Sequence, residues 1–144
     1  MKLADILAHK GYKVHSIRPS AMLAEVVQVL VRHNIGSLMV CENEDCKRML
    51  GIITERDILR ACAARRGPLE TTRVSEVMTT NVVTGSPCDS VEDTMGLMTE
   101  HRIRHLPVLE NDELVGIVSI GDIVKAQHDA LTMENHYLKS YLHG

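Results

Sequence analysis

The chain is written twice, and that duplication limits its fold more than any single motif does. Val14 to Asn43 aligns with Val82 to Asn111 at a constant offset of 68 residues, the spacing from Pro19 to Pro87. Identities fall at Val14/Val82, Pro19/Pro87, His33/His101, Ile35/Ile103, Leu38/Leu106, Val40/Val108, Glu42/Glu110 and Asn43/Asn111. Past the polar loop "NEDCKR" the offset drops to 65, and Gly51/Gly116, Ile52/Ile117, Asp57/Asp122, Ile58/Ile123 and Ala61/Ala126 then align. The lost residues lie in a loop, where insertions are tolerated. At 144 residues the chain holds either one compact domain or two closely packed half-size units.

Each copy reads strand, helix, strand, strand, helix. In the first, "KVHSI" is a short strand, Pro19 and Ser20 open a helix, and Met22, Val26, Val29 and Leu30 mark its buried face. In the second, Ser90 and Asp93 form a helix-start signal ahead of Val91, Met95 and Met98. The runs "SLMV" with "MLGII", and "HLPV" with "LVGIV", are strand pairs, each followed by a helix that begins near Thr54 or Ser119. Flanking helices are expected over Met1–Lys10 and His128–His143, serving packing or dimer contact. The expected division is 1–73 for the first repeat with the N-terminal helix and 74–144 for the second with the C-terminal helix.

Composition narrows the function. Phe and Trp are absent and Tyr occurs three times, so any base-binding pocket must have aliphatic walls. A net charge of −3 argues against a general nucleic-acid binder. No apolar run approaches the roughly 18 residues of a membrane span. Asp5 interrupts the N-terminus where a signal sequence needs an apolar stretch, and Cys41, Cys46, Cys62 and Cys88 form no CxxC pair. These features point to a cytoplasmic chain whose cysteines, Cys41 and Cys46 included, are free thiols.

The strands end in "GIITERD" (Gly51–Asp57) and "GIVSIGD" (Gly116–Asp122). Each is a capping box, in which Thr54 or Ser119 accepts from a first-turn N–H while Asp57 or Asp122 reaches back to the cap residue. Capping alone explains one such box, but two at equivalent places invite more. A helix N-terminus offers N–H groups and partial positive charge, a hydroxyl adds a donor, and a carboxylate accepts two hydrogen bonds from a vicinal diol. Phosphate beside hydroxyl and ribose beside carboxylate together make a nucleotide. Gly116 and Gly121 have P-loop glycine spacing, yet Asp122 stands where a P-loop needs lysine, which excludes that chemistry.

From about Lys13 to Gln127 the duplicated unit resembles the CBS (cystathionine beta-synthase type) domain, and the chain resembles a stand-alone tandem pair, or Bateman module. The resemblance rests on "GIITERD", "GIVSIGD", "RIRHLPVLE" (Arg102–Glu110) and "VSEVMTTNVVTGSP" (Val74–Pro87). It implies an α+β fold of two β-α-β-β-α repeats about a pseudo-twofold axis, two clefts for adenosine-containing ligands, and a homodimer. It also implies that Asp57 and Asp122 bind ribose hydroxyls and that Thr54 and Ser119 lie near ribose or phosphate. Ser16, Thr84 and Ser37 would line the adenine pockets, while Arg104 and His105, with Arg56, would meet phosphate. A His105–phosphate contact would tighten binding as pH falls through about 6.5. The first repeat has Gly36 and Ser37 in place of the basic pair and Met39 in place of Pro107, so the clefts are expected to differ.

The expected function is a regulatory sensor of AMP, ADP, ATP or NAD(H), with no catalytic cofactor, acting on a protein partner the sequence does not identify. A structural dimerisation subunit and a metal-assisted nucleotide hydrolase are the alternatives, the second lacking a visible base or metal site. His101 and His105 are four apart but fall on different elements, so no metal site is expected. Burying roughly 150 Å² of purine yields about 3 to 4 kcal/mol, whereas micromolar binding needs about 8. Ribose and phosphate contacts must therefore supply the remainder.

Overall fold

The computed structural model describes residues 1–143. Its chain groups into two units, one formed by Lys13–Val83 with Glu110–Val115, the other by Met1–Tyr12, Thr84–Leu109 and the residues from Gly116 onward.

In the unit of the first repeat, β1 (Ser16–Ile17), β2 (Ser37–Cys41) and β3 (Met49–Thr54) form a sheet in the order β1-β2-β3. β1 runs parallel to β2, with Ser16 opposite Met39, and β3 runs antiparallel to it, with Ser37 opposite Thr54. As the middle strand, β2 is buried along its whole length and reads as continuous apolar sequence after Ser37. Helices α2 (Leu23–His33) and α3 (Glu55–Ala63) supply Leu23, Val26, Leu30, Ile58 and Ala61 to a core with Ile17, Leu38, Val40 and Ile53. The sequence opens α2 at Pro19 and Ser20, but it starts at Leu23, with Met22 as an extended cap residue. Met22 bridges to Arg73, and the carbonyls of Pro19 and Ala21 accept from the N–H groups of Ser75 and Val74. Those bonds, with a turn over 19–20, hold the segment out of the helix, and Met22 and Val29 are only half-buried.

The unit of the second repeat contains α1 (Leu3–Lys10), α5 (Val91–His101), β4 (His105–Glu110) up to Leu109, β5 (Glu113–Ser119) from Gly116 on, and α6 (Ile120–His143). Strands β4 and β5 make a hairpin whose two linking residues, Asn111 and Asp112, both have positive φ, the twist a tight hairpin needs. The first strand expected in this repeat is reduced to one parallel bridge, Gly85 with Val108. In the first repeat the Met39 N–H donates to His15 O at 3.0 Å. Pro107 stands in the equivalent place and has no N–H, so that rung cannot form.

A further element of the repeat emerges from the hydrogen bonds. Lys2–Ala8 corresponds to Arg73–Thr79 at an offset of 71 residues, the spacing from Leu3 to Val74. The Val74 N–H donates to Ala21 O at 2.8 Å, and the Leu3 N–H donates to Asp89 O at 2.9 Å. Ser75 to Pro19 and Ala4 to Pro87 repeat the match, both at 3.0 Å. The Asp5 and Glu76 carboxylates each accept from the backbone N–H three residues earlier, both at 2.8 Å. In the second copy this segment is the short helix α4 (Val74–Val77). By contacts the chain interleaves: α1 lies in the unit of the second repeat and α4 in that of the first.

Cys41 and Cys46 are not free thiols but a disulfide, with Cα atoms 5.4 Å apart. A bulge at Val40/Cys41 and a positive φ at Cys46 turn the loop back so that the two meet. The outer part of α6 leaves Leu131, Met133, Tyr137, Leu138, Tyr141 and Leu142 exposed. Among the described residues no helix is long and apolar enough to cross a membrane.

Candidate functional site

Both capping boxes form. In the first, Asp57 N–H donates to Thr54 Oγ1 at 3.3 Å, and Thr54 N–H and Oγ1–H donate to Asp57 Oδ2 at 3.0 and 3.2 Å. In the second, Asp122 N–H donates to Ser119 Oγ at 3.1 Å, and Ser119 N–H donates to Asp122 Oδ2 at 2.8 Å. The residue ahead of β2 and the residue ahead of β4 are each brought to the helix start of their own repeat. Glu55 N–H donates to Gly36 O at 3.1 Å, and Ile120 N–H donates to Arg104 O at 2.8 Å. Ser37, Thr54 and Asp57 therefore sit together on one sheet end, as do Arg104, Ser119 and Asp122.

The remaining predicted residues are more dispersed. Arg56 is exposed on the first turn of α3, and His105 is the half-buried first residue of β4. Thr84 is half-buried just before the Gly85 bridge. Ser16 lines a cavity of about 410 Å³ with Arg18, Ser20, Glu25 and Asn43, whose lining includes neither Thr54 nor Asp57. His101 ends α5 and His105 begins β4, and among the described residues no cluster of three metal-ligating side chains occurs.

Sequence reasoning missed two side chains that reach the carboxylates from outside the boxes. Thr79 Oγ1–H donates to Asp57 Oδ1 at 3.1 Å, and the Lys10 ammonium lies 2.6 Å from Asp122 Oδ2 and 2.9 Å from Ile117 O. Burial opposes ionisation of Asp122, but the hydrogen bonds from Lys10 and Ser119 and the Lys10 charge outweigh it and hold the carboxyl below its usual range. A glycine admits each donor's segment. A Cβ at Gly51 would lie 2.5 Å from Thr79 O, and one at Gly116 would lie 2.7 Å from the Leu7 side chain. The 71-residue match between Lys2–Ala8 and Arg73–Thr79 was the signal that could have revealed these segments.

The CBS domain pattern matches residues 4–64 and 74–129. The chain belongs to the CBS-domain family. This CBS pair is 36% identical over 122 residues to the mitochondrial CBS domain-containing protein CBSX3 of Arabidopsis thaliana, covering 83% of this chain and 59% of that protein. It thus spans less than two thirds of that relative. The crystal structure of ATU1752 from Agrobacterium tumefaciens matches with a TM-score of 0.82 and 38% identity, covering 88% of this chain and 99% of that one. The CBS pair of protein MJ0100, solved with 5′-methylthioadenosine and S-adenosyl-L-methionine, matches with a TM-score of 0.77 and 27% identity over 90% of this chain and 98% of that one.

Proposed function

We propose that this CBS pair is a regulatory module that binds an adenosine-containing ligand, AMP, another adenine nucleotide or NAD(H), and changes conformation or partner affinity in response. The observation that carries this reading is the pair of equivalent hydroxyl–carboxylate boxes at helix starts, Thr54/Asp57 and Ser119/Asp122. The adenosine ligands of the MJ0100 pair support the ligand class. In this reading Asp57 and Asp122 accept from ribose diols, with Thr54 and Ser119 alongside. Ser16, Ser37 and Thr84 lie toward adenine, and Arg56, Arg104 and His105 toward phosphate. The module works in the cytoplasm as a homodimer and has no catalytic step.

The test is calorimetric titration of nucleotide-stripped protein with AMP, ATP, NADH and S-adenosylmethionine, repeated on Asp57→Asn and Asp122→Asn. Asparagine keeps the shape and removes the charge. A ligand at a hundredfold excess over its Kd should add about 2.7 kcal/mol of stability per site. Each variant should lose at least about tenfold affinity at one site, the value of one charge-assisted bond. Unaltered affinity in both variants sinks the assignment. The exposed apolar residues of α6 favour a second reading, an assembly subunit, for which no ligand would shift the melting temperature.

A further inference from the structure

Lys10 is not a loose surface lysine. It ends α1, whose Leu3, Ile6 and Leu7 are buried, and Leu7 packs onto the bare face of Gly116. Gly11, at φ 106, closes the helix immediately afterwards through its N–H to Leu7 O at 2.7 Å. The ammonium is thus delivered to Asp122 Oδ2 and Ile117 O by a docked element. At the matching carboxylate, Asp57 Oδ1 accepts from the neutral hydroxyl of Thr79.

That difference alters what the second site can accept. A carboxylate holding a ribose diol stands one sugar ring from the 5′ substituent, where it repels a phosphate and attracts a sulfonium. The Lys10 charge cancels that field, and an ammonium has three donors, of which Asp122 and Ile117 occupy two. The third is left for an anion.

We infer that Lys10 is a specificity-determining residue of the second repeat's ligand site, its ammonium favouring 5′-phosphorylated adenosine over neutral or cationic adenosine derivatives. The inference rests on the reading that Asp122 meets ribose. Its test uses the full chain carrying Asp57→Asn, so that the second site is read alone, with Lys10, Lys10→Met or Lys10→Arg. Each is titrated with AMP, 5′-methylthioadenosine and S-adenosylmethionine. Lys10→Met, which keeps the apolar stem, should lower the ratio of AMP to methylthioadenosine affinity about tenfold, the worth of one charge-assisted contact. Lys10→Arg should preserve the ratio, and 0.5 M salt should shrink the difference, because partly exposed charges are screened (Debye length about 10 Å at 0.1 M). An unchanged ratio in Lys10→Met, or equal losses for all three compounds, overturns the role and leaves adenosine binding standing. If the parent protein binds none of the three, the adenosine reading falls and this inference with it.

Discussion

The two repeats solve one packing problem with different chemistry. In each, a glycine on the strand before the capping box leaves room for a segment from elsewhere in the chain, and that segment brings a donor to the box carboxylate. At Gly51 the segment is the backbone around Thr79, and the donor is a hydroxyl. At Gly116 it is the Leu7 side chain of α1, and the donor is an ammonium. Duplication thus preserved the frame that places Asp57 and Asp122 while their electrostatic surroundings diverged.

The sharpest way to break this comparison is to fill the two glycines. Gly51→Ala puts a methyl against a backbone carbonyl that is itself hydrogen-bonded to Ile52 N–H at 2.9 Å, so the strand or its neighbour must move. A loss of about 2 to 3 kcal/mol is expected, in the overpacking range. Gly116→Ala meets the Leu7 side chain rather than backbone and should cost less, about 1 kcal/mol. Urea midpoints read both, and equal losses would show that the two segments are held alike.

A smaller effect separates the donors. Thr79→Val removes one hydrogen bond from Asp57 and should cost about 1 kcal/mol, while Lys10→Met removes a partly exposed ion pair worth about 0.5 kcal/mol at pH 7. The second should carry an acid dependence. Because the folded-state pKa of Asp122 lies below its ordinary value, its contribution is present above about pH 4 and fades as pH falls through the depressed value. Stability curves of wild type and Lys10→Met should therefore draw together as pH falls below about 4. Curves that stay parallel would mean Lys10 does not set the Asp122 ionisation.

The smallest effect belongs to a feature of the first repeat alone. His15 and His33 stack with ring centroids 4.2 Å apart, and burial, then the His33 and Lys13 charges, push the His15 pKa below the usual histidine range. A histidine depressed in the fold is protonated first in the unfolded chain, so stability declines as pH drops below about 6.5. His33→Ala should flatten that decline by a few tenths of a kcal/mol between pH 7 and 5. An unchanged slope would assign the depression to burial and Lys13.

The two strand pairs, the helix starts at Thr54 and Ser119, and the carboxylates at Asp57 and Asp122 were legible because each rests on local rules: apolar period, cap chemistry and self-similarity. Even Pro107 announced the asymmetry of the repeats, although its effect, the loss of a β-rung, lies on the backbone. The free-thiol reading failed because a disulfide depends on loop closure, which the spacing of Cys41 and Cys46 does not reveal.

What the sequence determined by itself is the repeated frame and the chemistry at its two helix starts, since both are encoded within a few residues. Only the tertiary structure decided that Lys10 rests on Asp122 and Thr79 on Asp57. The first pair is separated by 112 residues and the second by 22. No local rule reaches across such gaps, and the partners are chosen by which segment can pack onto Gly116 and Gly51.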